Sequence, residues 1–186
     1  NVRRAAGAYG GRCEIIVNTM LHIRPGGVLG RGDVVRAHEE IEATQLGLMR
    51  LAQSFGPALR ARGGEQPTAA CAWVNIHSVH ALIPDPAFGA ASATHAAALS
   101  LSRSLRAELR PGGVRVIDLF VGPLDDVWHE ALPPPKVTPA QLGAAVVRAL
   151  REAVEESAVG DVAQDILARY HENPKVLERE LSGGHA

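Results

Sequence analysis

The sequence predicts an α/β protein built on a parallel β-sheet. Three short runs, residues 13–17, 70–76 and 114–121, are almost continuously apolar. Longer segments with helical periodicity separate them, so that helices and strands alternate along the chain. Strands that lack polar alternation are covered on both faces, which is typical of parallel strands joined by helices. We therefore predict a single domain over residues 1–186.

The N-terminal third predicts a helix, the first strand and a longer second helix. Residues 2–10 are rich in alanine and end at a pair of glycines, which terminate helices. After the strand at 13–17, residues 34–62 predict a helix with Asp33 as its N-cap. One face of this helix is marked by spacings of three and four, at Ile41, Gln45, Leu48, Ala52, Phe55 and Leu59.

The central third predicts the second strand and its partner helix. The strand at 70–76 is followed by a helix at 88–109, whose many alanines allow another helix to approach closely. Its buried stripe is predicted at Ala98, Leu101, Leu105 and Leu109. Its outward face is predicted at Arg103, Arg106 and Arg110.

The C-terminal third predicts the third strand, at 114–121, and two further helices. Residues 138–141, Thr-Pro-Ala-Gln, form a capping box with proline at the first helical position, and the helix is expected to reach Glu156. The last helix is predicted at 162–170, with Asp161 as its N-cap. The Leu-Pro-Pro-Pro segment predicts a stiff loop rather than a linker between domains.

The composition excludes several classes of function. The chain has 19 basic and 20 acidic residues and a net charge of −1, so we expect neither nucleic acid nor an acidic membrane surface as a partner. We also expect no membrane span and no signal peptide. Cys13 and Cys71 are expected to be free thiols in a cytoplasmic protein. The histidines fit no metal-binding spacing, and Arg-Gly-Asp at 31–33 is expected to form a turn and cap.

Short motifs follow one another in a characteristic order. They are residues 15–20 (I-I-V-N-T-M), 45–47 (Q-L-G), 74–78 (V-N-I-H-S), 91–95 (A-S-A-T-H), 96–109, 121–124 (V-G-P-L) and 160–175. In order and spacing, these motifs resemble the short-chain dehydrogenase/reductase family over nearly the whole chain. Each motif alone is weak, and their joint order carries the resemblance.

The resemblance implies four catalytic positions. In the family a tyrosine acts as acid or base, a lysine lowers its pKa and holds the nicotinamide ribose, a serine orients the carbonyl, and an asparagine fixes a water. Here Ser78 keeps the serine. Ala91, thirteen residues later, stands at the tyrosine position, His95 at the lysine position and Thr44 at the asparagine position. Without a positioned acid, the rate of such a reaction is expected to fall about 10²–10⁴-fold.

The resemblance also implies a fold, a cofactor and binding residues. The fold would be a doubly wound, Rossmann-like parallel sheet, of which this chain supplies the C-terminal portion, and the cofactor would be NAD or NADP. Substrate contacts would come from Trp128 and His80. The cofactor-binding positions would be Asn18, Thr19, Ile76, Gly122, Pro123 and Leu124.

The phosphate-binding half of the family pattern is not matched in this sequence. The glycines at 7–11 follow a predicted helix rather than a strand, and their spacing does not fit the Gly-rich turn that holds a pyrophosphate. We expect about 60–75 residues of two βα units to precede Asn1 in a complete domain. Without them the sheet would have an open edge, so we expect either a longer chain or a partner that covers it.

Each proposed site residue also has a structural interpretation. Ser78 could bond only to the backbone at the end of its strand, and Trp128 could pack on the rim of the core. His95 could be a tolerated replacement. His77 and His80 flank Ser78 and suggest a serine–histidine pair, but no third orienting group is evident in the sequence.

Two hypotheses of function remain open from the sequence. The first is a catalytically impaired family member that acts as a binding or structural subunit, in a homo- or hetero-oligomer formed by the helices at 34–62 and 88–109. The second is an NAD(P)-dependent oxidoreductase, interconverting an alcohol and a carbonyl, in which Ser78 and His95 carry a rearranged proton relay.

Overall fold

A computed structural model describes residues 2–30, 34–65, 70–127, 129–130 and 132–183. Four parallel strands form one sheet in the order β1-β2-β3-β4, which confirms the predicted parallel α/β fold. The strands are β1 (Ile15–Asn18), β2 (Ala72–Ser78), β3 (Arg115–Val121) and β4 (Glu156–Val159). The helices are α1 (Val2–Tyr9), α2 (Val35–Glu40), α3 (Gly47–Glu65), α4 (Gly89–Leu109), α5 (Pro139–Glu152), α6 (Asp161–Glu172) and α7 (Pro174–Gly183). No helix in these ranges is long and apolar enough to cross a membrane.

The centre of the sheet is the pairing of β2 with β3, in register from Ala72 opposite Arg115 to Ser78 opposite Val121. Because side chains alternate along a strand, the two faces of this pair carry different sets of residues. One face packs on α3 and α4 through Trp73 and Val116. The other packs on α5, in a cluster that contains Val74, Ile76, Ile117, Leu119, Val121, Ala145 and Ala149. The sheet therefore lies between two layers of helices.

The predicted helix at 34–62 is one helical stretch with an irregular middle. The i→i+5 hydrogen bonding of a π-helix covers Ile41–Leu46, between α2 and α3. Such π segments often occur at functional sites, and this one carries Thr44. Leu48, Phe55 and Leu59 are buried as the periodicity predicts. The predicted N-cap Asp33 and the 31–33 tripeptide lie outside the described residues.

Four details of the C-terminal half differ from the sequence prediction, one of which is α7, a helix beyond the predicted last helix at 162–170. The helix predicted to reach Glu156 ends at Glu152, because Ala153 adopts a left-handed conformation with φ of 56°. The residues that follow form β4, which was not predicted. Asp161 is the first residue of α6 and makes no capping hydrogen bond, since the N-cap is Gly160. The capping box of Thr138 and Gln141 is confirmed.

The predicted outward position of Arg106 was wrong. Its Nη2 donates to Asp118 Oδ2 at 2.5 Å, and its side chain is 13% exposed. Arg103 and Arg110 do lie on the surface. The arginine is drawn inward because Asp118 lies wholly buried in β3.

Strand β1 forms one edge of the sheet, pairing only with β2 among the described residues. Ile15 and Val17 are 45% and 41% exposed, on the face that carries Val74. Large apolar side chains on an edge strand favour association with further β-structure or with a covering element. This matches the open edge that the sequence led us to expect.

Candidate active-site cleft

The carboxyl ends of the strands meet at one edge of the sheet, where ligands bind in parallel α/β proteins. Asn18 ends β1, Ser78 ends β2, and Gly122 and Pro123 follow β3. The Asn18 Oδ1 accepts a hydrogen bond from the Met20 backbone N–H at 3.2 Å, which turns the chain away from the strand. The structure thus brings three motifs predicted from the sequence to the same edge.

The other predicted cofactor positions differ in accessibility. Thr19 is exposed just beyond β1. The Ile76 side chain lies in the core beneath α5 and is 3% exposed. Leu124 forms an isolated bridge with Val137 and packs against the same core. The predicted substrate residue Trp128 lies outside the described residues.

Ser78 is buried at the point where the strand gives way to a 3-10 turn, Val79–Ala81. Its Oγ accepts a hydrogen bond from the backbone N–H of His80 at 3.2 Å. This is the backbone contact expected of a strand-end hydroxyl. Because the oxygen is the acceptor there, the hydroxyl hydrogen remains free to donate into the cleft.

His77 and Ser78 point to opposite faces of the sheet. The His77 Nε2 lies 2.9 Å from Asp118 Oδ1, and its ring packs against Phe120 on the α4 side. His80 leaves the strand in the 3-10 turn, where its ring stacks on Phe88 with centroids 4.9 Å apart. Neither arrangement pairs an imidazole with Ser78 as a nucleophile would require.

The three residues predicted to stand at replaced catalytic positions are buried inside the protein. Ala91 and His95 are both 0% exposed, and Thr44 is 3% exposed. Among the described residues, no group forms a hydrogen bond with either ring nitrogen of His95 or with Thr44 Oγ1. Orphaned buried polar atoms are costly, at about 1–3 kcal/mol each.

The imidazole of His95 is neutral under physiological conditions. Burial, together with the nearby rings of His77, His80 and His22, lowers its pKa from 6.5 to about 3. The His22 backbone lies close enough to oppose this shift, although not in hydrogen-bond geometry. His95 therefore carries no positive charge of the kind that a lysine would supply at this position.

The segment after β1 helps to close the cleft over α4. The Gly26 N–H donates to the Ala87 carbonyl at 2.7 Å. A Cβ added at Gly89 would lie 2.8 Å from Val28 Cγ2, so the glycine permits this close approach. The segment therefore packs tightly on the N-terminal turn of the helix that carries Ala91 and His95.

Behind the cleft, a chain of buried polar groups crosses three strands. The Asn18 Nδ2 and the Trp73 Nε1 both donate to Asn75 Oδ1, at 3.1 and 2.9 Å. The Asn75 Nδ2 donates to Ser102 Oγ at 2.7 Å, and Ser102 Oγ donates in turn to Asp118. Asp118 also binds His77 and Arg106, as described above. We call these groups the buried polar network; it consists of Asn18, Trp73, Asn75, His77, Ser102, Arg106 and Asp118.

A cavity of about 320 Å³ opens beside Ser78. Its lining includes Ser78, His80, Phe88, Pro123 and His129. The His129 Nδ1 lies 2.7 Å from Asp126 Oδ1, and the same carboxylate oxygen accepts from the His129 backbone N–H at 3.0 Å. Sequence reasoning missed His129 and Asp126 as site residues, although they lie close together in a segment rich in charge.

The nicotinamide end of NAD(P) does not fit the replaced positions as they stand. Family members hold the ribose with a charged lysine, whereas His95 is neutral and covered. Ala91 has no hydroxyl to offer. The side chains of Ala91 and His95 therefore do not fit the nicotinamide ribose in the way that the family resemblance implies.

The solved structures to which this chain is similar are short-chain dehydrogenases. No protein-family model and no curated protein sequence matches the chain. A short-chain dehydrogenase from Burkholderia cenocepacia, solved in complex with NADP, is 31% identical with a TM-score of 0.88, over 97% of this chain and 73% of that one. A short-chain dehydrogenase from Streptomyces avermitilis is 22% identical with a TM-score of 0.77, over 100% and 76%.

One further structure concerns the catalytic centre. An NADPH-bound short-chain oxidoreductase from Pseudomonas aeruginosa, described as containing an atypical catalytic center, is 23% identical with a TM-score of 0.71. It matches over 84% of this chain and 68% of that one. At this identity the likeness shows the fold alone.

Proposed function

The chain belongs to the short-chain dehydrogenase/reductase family, and from that membership we propose that it is a member impaired in hydride transfer. Its role would be that of a binding or structural subunit. The observation that carries this proposal is the pair Ala91 and His95, both sealed from the cleft at the positions of the family's acid and its lysine. The rest of the fold is kept at a TM-score of 0.88 to a relative that binds NADP.

The chemical argument rests on the fate of the substrate oxygen. Reduction of a carbonyl leaves an alkoxide, which needs a proton or strong hydrogen-bond donors. Ser78 supplies one hydroxyl hydrogen, but no base or acid is paired with its side chain in the described structure. His95 cannot supply the proton at neutral pH because its pKa is lowered to about 3. The cleft therefore retains a means of orienting a ligand and lacks a means of completing the reaction.

A subunit role requires a surface for a partner. A groove of about 820 Å³ lies between α3 and α4, the helices by which family members dimerise. Its lining includes Ala52, Gly56, Leu101 and Met49, and Met49 is 37% exposed. Small residues in such a groove allow helices of a second subunit to approach closely. We propose a homo- or hetero-oligomer formed through this groove, in the cytoplasm, where Cys13 and Cys71 would remain free thiols.

The direct test is turnover. The purified protein is expected to oxidise NADPH or NADH with a panel of ketones at rates at least about 10²-fold below ordinary family members. Turnover at ordinary enzyme rates, abolished by His95→Ala, would support a rearranged relay and contradict the proposal.

Restoring the two family residues provides the complementary experiment. The double variant Ala91→Tyr/His95→Lys should gain NADPH-dependent turnover if the cleft opens and admits the cofactor. Ala91→Phe/His95→Lys is the matched control, since it adds the same bulk and charge without the phenol. Equal rates for the two variants would show that the missing acid is not what limits the wild type.

A further inference from the structure

The cavity beside Ser78 has walls suited to an uncharged ligand. Its described lining is mostly apolar and contains no lysine or arginine. The lining carboxylate is Asp85, and Asp126 lies behind His129. An anionic ligand would therefore meet negative charge without a compensating cation. The volume, about 320 Å³, lies at the lower end of the range for small-molecule sites.

His129 is held in a single orientation at the wall of this cavity. Asp126 Oδ1 contacts both the His129 backbone N–H and the ring Nδ1, and the His129 side chain is 10% exposed. A carboxylate can only accept, so Nδ1 carries the hydrogen and donates to it. In the neutral ring, Nε2 is then an acceptor. No described residue bonds to that nitrogen.

Ser78 offers the complementary group. Its Oγ already accepts from the His80 N–H, so the hydroxyl hydrogen is available as a donor. His80 adds a flat apolar wall through its stack with Phe88. One donor and one acceptor thus line the same cavity, and a hydroxyl group is the ligand group that uses both.

We propose that His129, oriented by Asp126, is a specificity-determining residue that accepts a hydrogen bond from the hydroxyl group of a neutral, largely apolar ligand, whose oxygen accepts from Ser78. The inference rests on the proposed function in one respect: the ligand is bound rather than turned over. It assigns to this cleft a preference for an alcohol over the ketone of the same skeleton. A ketone can use Ser78 but has no hydrogen for His129.

The test is equilibrium binding without any nucleotide, using three molecules of one size. They are 4-phenyl-2-butanol, 4-phenyl-2-butanone and 3-phenylpropanoate, measured by calorimetry and by ligand-observed NMR. We expect the alcohol to bind about tenfold more tightly than the ketone, the value of one hydrogen bond. The carboxylate should bind most weakly. A ketone or carboxylate that binds as tightly as the alcohol would overturn the proposal.

Variants then locate the preference. Asp126→Ala and His129→Phe should each raise the Kd of the alcohol about tenfold while leaving that of the ketone within about twofold. The unchanged ketone affinity shows that the cavity is still folded. Asp125→Ala is the matched control, because it removes an exposed carboxylate next to Asp126. Equal effects of Asp125→Ala and Asp126→Ala would sink the idea.

The outcomes for this inference and for the proposed function are separable. NADPH-dependent turnover at ordinary rates would remove the proposed function, and the binding order of the three molecules would still decide the role of His129. Loss of the alcohol preference without any turnover would remove the inference alone.

Discussion

Helix α4 contributes Ser102 and Arg106 to the buried polar network and also carries His95, and the polar groups in these two places are satisfied to different degrees. In the network, Asp118 is 0% exposed and is bonded by Ser102, His77 and Arg106. One turn from the start of the helix, His95 is also 0% exposed, yet both its ring nitrogens lack hydrogen-bond partners among the described residues.

This contrast separates structural from functional polarity. The side chains of the buried polar network are satisfied by one another, and an unsatisfied buried polar group would cost about 1–3 kcal/mol. His95 and Thr44 lack hydrogen-bond partners among the described residues, and the sequence resemblance predicts both at replaced catalytic positions.

The largest expected effect comes from a substitution in the buried polar network. Asp118→Asn removes the charge that holds Arg106 and His77, and breaking a buried ion pair typically costs about 3–5 kcal/mol. We expect a loss of about 3 kcal/mol in the free energy of unfolding, measured by urea denaturation. The exposed Asp125→Asn should change it by less than about 0.5 kcal/mol. A loss below about 1 kcal/mol for Asp118→Asn would contradict the central role of this carboxylate.

The most direct comparison replaces each of two buried histidines, His77 and His95, with leucine. His77→Leu should destabilise the protein by about 2 kcal/mol, because it leaves Asp118 with an unmade hydrogen bond. His95→Leu should stabilise it by about 1–2 kcal/mol, because it removes two orphaned nitrogens at similar volume. The two variants are compared by urea denaturation at pH 7. The same sign for both would show that His95 has a partner after all.

The next effect concerns pH. The folded state holds the pKa of His95 at about 3, whereas the unfolded chain returns it to 6.5, so between these values the unfolded state binds more protons. Stability should therefore fall as the pH drops below 6.5, by up to about 1.4 kcal/mol per pH unit from this residue. His80, whose pKa is also lowered by burial, adds to the slope. Unfolding of wild type and His95→Leu at pH 7, 6 and 5 isolates the contribution of His95, and parallel curves would argue against it.

The smallest effect is expected at Thr44. Thr44→Val exchanges an unbonded hydroxyl for a methyl group, so stability should stay constant or rise by up to about 1 kcal/mol. Ser102→Ala, in the buried polar network, should instead lose about 1–2 kcal/mol. Thermal unfolding of the two variants suffices for the comparison. A clear loss for Thr44→Val would indicate that its hydroxyl is bonded in solution.

Much of the fold could be predicted because its signals are local. The apolar runs of β2 and β3 and the capping box at Thr138 indicate their elements directly. Strand β4 was missed because it has only four residues and begins with Glu156 and Ser157, which interrupt the apolar pattern. The inward turn of Arg106 was missed because it depends on Asp118, a residue of another element.

The candidate site also contains residues that a local sequence pattern predicts and residues that it does not. Spacing along one helix suffices to bring Ala91 and His95 together, since residues four apart share a helical face. The pairing of His129 with Asp126 depends on how the loop after β3 folds, and the cavity that His129 lines is also lined by residues of α6 and α7. No local pattern reports such an arrangement, so these residues became visible only in the structure.

The strand order has a consequence for how this domain opens. Among the described residues, β1 to β4 are adjacent in the order in which they occur, so each strand pairs only with its predecessor and its successor. Four paired positions join β1 to β2, and four join β3 to β4. Either of these two pairings can open by itself while the seven paired positions that join β2 to β3 remain. Amide hydrogen exchange should therefore advance inward from both rims, with the protons of β2 and β3 the last to exchange. The strand that ends in Ser78 would then belong to the most persistent part of the molecule.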